Sequence, residues 1–242
     1  MLRAAALITS MLAITACVAD SGGEGFIIVN NTAVQGTQCL LLGTQGQPFK
    51  AHGEISTLSS AGYLFTPLFQ SNITATSTQE VQRTLMFNGA NVELTVEALT
   101  IQHADGTFDK PPVPVLQGTD GKFQALFSGS LTPGGTANAA FEIVPVTTIA
   151  SIVQASGAAA TDHMSAEVKA IIKPFGTMGG DRVDGTPFQY PVTVCNDCVV
   201  VNRGACPVTG TVRTGDPCQP FEDSVVDCCT DASNNLVCPA SM

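Results

Sequence analysis

The sequence predicts a mainly β protein: an antiparallel β-sandwich with immunoglobulin-like or Greek-key connections, one short helix and a disulfide-rich C-terminal module. Three features of the chain carry that expectation. Several stretches alternate apolar and polar residues with period two, the pattern of a strand with one buried face. Turn-forming dipeptides separate those stretches. Seven of the nine cysteines fall between Cys195 and Cys238.

Residues 1–16 open with one positive charge, Arg3, followed by an apolar and small-residue run from Ala4 to Ala16. A membrane-spanning helix needs ~20 apolar residues, so the run is too short to be one and reads as a secretory signal peptide. It leads into Ile14-Thr15-Ala16-Cys17, which is similar at every position to the bacterial lipobox, an apolar-small-small-Cys pattern. The resemblance implies that cleavage makes Cys17 the first residue, with diacylglycerol on its sulfur and an acyl chain on its new amino group. Three acyl chains anchor far more firmly than one. Val18 follows, where an Asp tends to retain Gram-negative lipoproteins in the inner membrane, so the resemblance implies delivery to the outer membrane. Residues 17–25 are then the lipidated cysteine and a flexible polar tether, Ala19-Asp20-Ser21-Gly22-Gly23-Glu24-Gly25.

Residues 26–194 carry the strand signals. Ala90–Ala98 alternates over its whole length, and Ser165–Lys173 places Ala166, Val168, Ala170 and Ile172 on one face. Phe188, Tyr190, Val192 and Val194 form a third such face. Pro191 cannot donate to a ladder, which predicts a sheet edge at that point. Asn88-Gly89, Asp105-Gly106, Asp120-Gly121, Pro133-Gly134-Gly135 and Asp184-Gly185 read as turns. Phe123–Leu131 and Asn138–Val144 flank the Pro-Gly-Gly and are expected to be neighbouring antiparallel strands. Thr147–Ala155 spaces Ile149, Ile152 and Val153 as a helix would. Pro111-Pro112-Val113-Pro114 reads as an extended surface loop. Short strands with many turns suit a sandwich.

Residues 195–242 form the cysteine-dense module. With Cys17 assigned to lipid, eight cysteines remain: Cys39, Cys195, Cys198, Cys206, Cys218, Cys228, Cys229 and Cys238. In an exported chain an even set reads as disulfides. Seven cannot pair among themselves, so Cys39 must bond to one of them and close a loop of more than half the chain. Adjacent Cys228 and Cys229 are not expected to bond to each other, because the bridge would strain the peptide between them. The remaining connectivities stay open. Cys195-Asn196-Asp197-Cys198 has the spacing of redox and zinc sites. It lies between strand-like runs with no histidine nearby, and so reads as a structural disulfide at a tight turn.

The net charge of −10 argues against nucleic acid and against electrostatic attachment to anionic lipid. Trp is absent, and Tyr63 and Tyr190 are the only tyrosines, which lowers the odds of a carbohydrate-binding module. His52, His103 and His163 have no motif partners, and no nucleophile elbow, zinc motif or phosphate loop occurs. Asp162-His163 is the pair a hydrolase could use, but it reads first as a solvated turn. Asp181, Asp184 and the Glu222, Asp223, Asp227 group lack the register of a calcium loop, and so read as a solubilising acidic surface. No cofactor is implied beyond the lipid on Cys17.

The layout resembles that of the cysteine-rich surface lipoproteins of myxobacteria and related Gram-negative bacteria. The similar features are the lipobox through Cys17, Leu64-Phe65-Thr66-Pro67-Leu68 with the following Asn72, and Val192-Thr193-Val194-Cys195 leading to Cys198. The resemblance brings no catalytic residues. It implies a non-enzymatic envelope lipoprotein, held on the membrane by its lipid, with an envelope or surface protein as partner. The alternatives are a hydrolase near Asp162 and His163, or thiol or metal handling at Cys195 and Cys198.

Overall fold

The computed structural model describes residues 25–74, 83–159 and 161–239. The signal peptide and Cys17 lie outside the described residues. The fold is mainly β, with two layers of strands over one core and a small disulfide-bonded sheet at the C-terminal end.

The first layer orders β2 (Phe49–Lys50), β1 (Phe26–Thr32), β5 (Pro67–Ser71) and β9 (Thr136–Asn138). Its last ladder continues into a second pair, β4 (Tyr63–Phe65) with β10 (Phe141–Val144), after a break at Thr66. Asn31 fills that break: its Oδ1 accepts from the Thr66 amide at 2.8 Å and from the Thr66 hydroxyl at 3.1 Å. A buried backbone donor without a partner is costly, so the fully buried Asn31 serves here as a piece of ladder.

The second layer is organised by two long strands, β6 (Leu85–Gln102) and β11 (His163–Met178), paired antiparallel from His163↔Gln102 to Thr177↔Met86. β8 (Lys122–Leu131) and β7 (Phe108–Asp109) extend β6 on its other side. β12 (Asp181–Asp184) and β13 (Phe188–Cys195) extend β11. β3 (Gly53–Ser56) closes the order with a parallel pairing along Val192–Cys195, in contrast to the antiparallel pairing expected throughout. Pro191 lies just beyond this ladder, where the outer side of β13 has no strand partner.

Alternation predicts the inner faces. Ala90, Val92, Leu94 and Val96 are buried, as are Ala166, Val168, Ala170 and Ile172. A bulge then moves Ala98 to the outside and Leu99 to the inside. Between the layers lies an aromatic stack, with ring centroids 4.5 Å apart for Phe69–Phe87 and Phe127–Phe141 and 5.1 Å apart for Phe65–Tyr190. Each fully buried ring contributes roughly 2–3 kcal/mol of apolar burial.

Two expectations fail. Asn88-Gly89 is not a turn but a bulge inside β6. A Cβ on Gly89 would strike the Ala125 carbonyl of β8, so glycine lets the neighbouring strand approach. Phe123–Leu131 and Asn138–Val144 are not ladder partners either, since β8 pairs with β6 while β9 and β10 pair with β5 and β4. The Pro133-Gly134-Gly135 turn carries the chain from one layer to the other. Both segments still contribute to the shared core, through Ala125 and Leu131 on one side and Phe141, Ile143 and Val144 on the other, although Leu126 stays exposed. The expected helix is α1 (Val146–Ser156), which buries Ile149 and Ile152 but leaves Val153 38% exposed. It is docked by Ser151 and Thr148 on Asp120.

The C-terminal sheet orders β14 (Val200–Ala205), β15 (Val226–Thr230) and β16 (Leu236–Val237), with β14 parallel to β15. It has its own small core of Val199, Val200, Val226, Cys228 and Cys238. The eight cysteines form four bonds: Cys39–Cys218, Cys195–Cys198, Cys206–Cys229 and Cys228–Cys238. Consecutive strand residues point to opposite faces, which sends Cys228 and Cys229 to different partners.

Candidate functional site

A cluster of buried and half-buried polar side chains lies where the C-terminal module re-enters the sandwich. Residues 219–223 lie across the seam between β3 in one layer and β4 in the other. On the β3 side, the Ser56 amide donates to the Phe221 carbonyl at 3.0 Å, and the Asp223 amide donates to the Glu54 carbonyl at 3.0 Å. On the β4 side, the partners are side chains. Gln219 Nε2 donates to the Leu64 carbonyl at 2.9 Å, and the Leu64 amide donates to Glu222 Oε2 at 3.1 Å. Two side chains thus replace the strand that would otherwise flank β4.

Behind this segment, both tyrosines of the chain meet inside the core. Asn31 Nδ2 donates to Tyr190 OH at 2.9 Å and to Tyr63 OH at 3.3 Å, and the two phenols are 3.1 Å apart. Tyr63 OH donates to Asp223 Oδ2 at 2.9 Å, which also pairs with Lys50 Nζ at 2.7 Å. Asp223 Oδ1 accepts from the Glu54 amide, and Lys50 also donates to Gln219 Oε1 at 2.5 Å. Tyr63 reaches this position because residue 53 is glycine: a Cβ there would fall 2.5 Å from the phenol ring. Phe221 and Asp223 both adopt positive φ, 66° and 51°, and bracket Glu222 as its side chain turns inward.

Burial dominates the electrostatics. It pushes Tyr190 up to about 12 and raises Tyr63 further, with the Asp223 charge adding to the shift. Glu222 is 3% exposed, and burial raises its carboxyl to about 8. Folding therefore favours the protonated acid. The stability it contributes is complete below the unfolded value of 4.5 and is lost as pH rises towards about 8. Thermal or denaturant unfolding of the native protein should show stability falling through this window by up to ~1.4 kcal/mol per pH unit. Glu222→Gln, which still accepts from Leu64, should flatten the profile. A variant with the native slope would show that the slope arises elsewhere.

A cleft of about 210 Å³ opens beside the segment, lined by Ser59, Gly62, Glu142, Cys218, Phe221 and Glu222 among others. Glu142 Oε1 accepts from the Gly62 amide at 3.3 Å. Among the described residues, no group of three His, Cys, Asp or Glu side chains is arranged to hold a metal ion.

The residues singled out from sequence fall into three places. Glu222, Asp223 and Asp227 are not a solvated acidic surface. The first two belong to this seam, and Asp227 is buried against Arg213, whose guanidinium holds its carboxyl down to about 2. Asp181 and Asp184 lie on β12, where Asp184 pairs with Lys173 and Arg182. Asp162 and His163 turn away from each other. Asp162 Oδ2 is 3.1 Å from His103 Nδ1, whose Nε2 lies 2.9 Å from Asp109, so that the His103 pKa is raised, while His163 pairs with Asp197. Cys195 and Cys198 are bonded to each other, and Asn196 between them ties the turn to Asp162 and Met164.

No protein-family model matches the chain, and no curated protein matches it. Among solved structures, a protein from Archaeoglobus fulgidus is similar over 58% of this chain and 90% of its own, at 8% identity and a TM-score of 0.32. Nothing about function follows from so slight a likeness.

Proposed function

We propose that the chain is a lipid-anchored envelope lipoprotein, carried on the outer membrane through Cys17, that works without catalysis as a binding, adhesion or structural module. The observation that supports this reading best is the cysteine pairing. The eight cysteines other than Cys17 bond among themselves in four pairs, which leaves the lipobox cysteine as the odd one. The seam adds to it, since its carboxylates, phenols and lysine are engaged in holding the C-terminal module to the sandwich.

An anchor at Cys17 would attach to one end of the domain. The eight steps from Cys17 to Gly25 reach at most ~30 Å. β1 begins beside Ser71, Asn72 and Thr186, and the neighbouring Gly185 amide donates to the Pro174 carbonyl on β11. Cys195, where the C-terminal module starts, pairs with Ser165, nine residues along the same strand and roughly 30 Å away. On this reading the C-terminal module begins at the end of β11 opposite the attachment point.

The test is the intact mass of protein purified from membranes, with thiols alkylated before and after reduction. The expected result is a chain that starts at acylated Cys17, with no free thiol before reduction and eight after. An unlipidated chain would overturn the anchor, and free thiols at Cys195 and Cys198 would return thiol chemistry to that turn.

A further inference from the structure

The seam segment has the construction of a device that opens locally. Its backbone is joined to β3 through the Phe221 carbonyl and the Asp223 amide, around a single bridge between Ile55 and Glu222, and to β4 through side chains. Two of its residues hold positive φ, a conformation that favours release. The Cys39–Cys218 bond next to Gln219 would keep it tethered if it moved.

The surroundings of Glu222 suit a neutral acid. From its own segment it faces Asp223. β4 presents the Leu64 amide and the Tyr63 phenol, β13 the Tyr190 phenol, β10 Glu142, and β3 carries Glu54. The neighbouring cation, Lys50 on β2, is committed to Asp223 and Gln219. An ionised Glu222 would add a second negative charge to a buried site whose cation is already paired, an arrangement that burial penalises heavily.

We propose that Gln219–Asp223 is a proton-held latch: with Glu222 neutral it closes the seam, and loss of that proton frees the segment while the sandwich stays folded. Opening uncovers the amide and carbonyl of Leu64 and the edge of β3, groups that an extended peptide can pair with. The latch thus sets when this edge is available, with Glu222 as the sensor.

The protein carries its own reporter. It has two tyrosines and no tryptophan, and both phenols sit at the latch. The experiment is a titration of the full disulfide-bonded chain from pH 6 to pH 9, following near-ultraviolet circular dichroism for the tyrosines and far-ultraviolet for the strands. Pulse proteolysis at each end of the range maps the cut sites. The near-ultraviolet signal should change around pH 8 with the far-ultraviolet signal flat. Cleavage within 219–223 should be about a hundredfold faster at pH 9 than at pH 6, as one proton linked to opening requires when the closed-state carboxyl titrates near 8. Glu222→Gln should remove both effects. The proposal fails if the native tyrosine signal is constant across the range, if the far-ultraviolet signal collapses with it, or if the glutamine variant opens as the native protein does. If that variant does not fold, the native titration and cut sites decide alone.

Discussion

Replacing Cys39 and Cys218 together by serine is expected to lower the free energy of unfolding by about 5 kcal/mol. The bond joins residues 179 apart, so it restricts the unfolded chain far more than a short bridge does. The same chain-entropy argument gives about 3 kcal/mol for Cys206–Cys229, which spans 23 residues. Denaturant unfolding of each double-serine variant under non-reducing conditions measures both. The long bridge should cost the more of the two. A loss of under ~1 kcal/mol for the long bridge would mean that the unfolded chain already holds its ends together.

The second large effect is expected at Asp223. Its carboxylate is 11% exposed and holds Lys50, the Tyr63 phenol and the Glu54 amide. Asp223→Ala leaves a mostly buried ammonium without its counter-charge, a change that costs about 3–5 kcal/mol. It also puts alanine at a positive φ of 51°, which asparagine and aspartate tolerate better. Asp223→Asn keeps the backbone preference and part of the hydrogen bonding, and should lose less. Urea unfolding at neutral pH orders the three proteins. Equal losses in Ala and Asn would assign the whole effect to charge, and no loss in Ala would show that water replaces the carboxylate.

The strands were legible because their signal is local. Val168, Ala170 and Ile172 declare a buried face within six residues, and the same pattern marks Tyr190 as inward. Parity likewise required Cys39 to reach the C-terminal cysteines, although its choice of Cys218 among seven lay beyond parity. The seam was not legible. Glu222 and Asp223 are charged and sit in a polar, cysteine-rich stretch, while their partners Tyr63 and Leu64 lie more than 150 residues away. One clue was available: an inward-facing Tyr190 needs a partner for its hydroxyl, which predicts a buried polar site without naming its members. The Asn88-Gly89 reading failed for a related reason, because a turn dipeptide and a bulge that admits a neighbouring strand look alike until that strand is in place.

The pairing of Cys39 with Cys218 bears on how the chain is made. A polypeptide delivered amino end first presents Cys39 early, then Cys195, Cys198 and Cys206, and Cys218 only after them. An oxidant that joined these thiols in order of arrival would couple Cys39 to Cys195 and Cys198 to Cys206, neither of which is a native bond. The native bonds instead skip three cysteines, so Cys39 must wait unpaired or pass through a borrowed partner until Cys218 has been made. Maturation must therefore keep Cys39 available, free or in an exchangeable bond, and the first of the eight disulfide-forming thiols to be made is among the last to be settled.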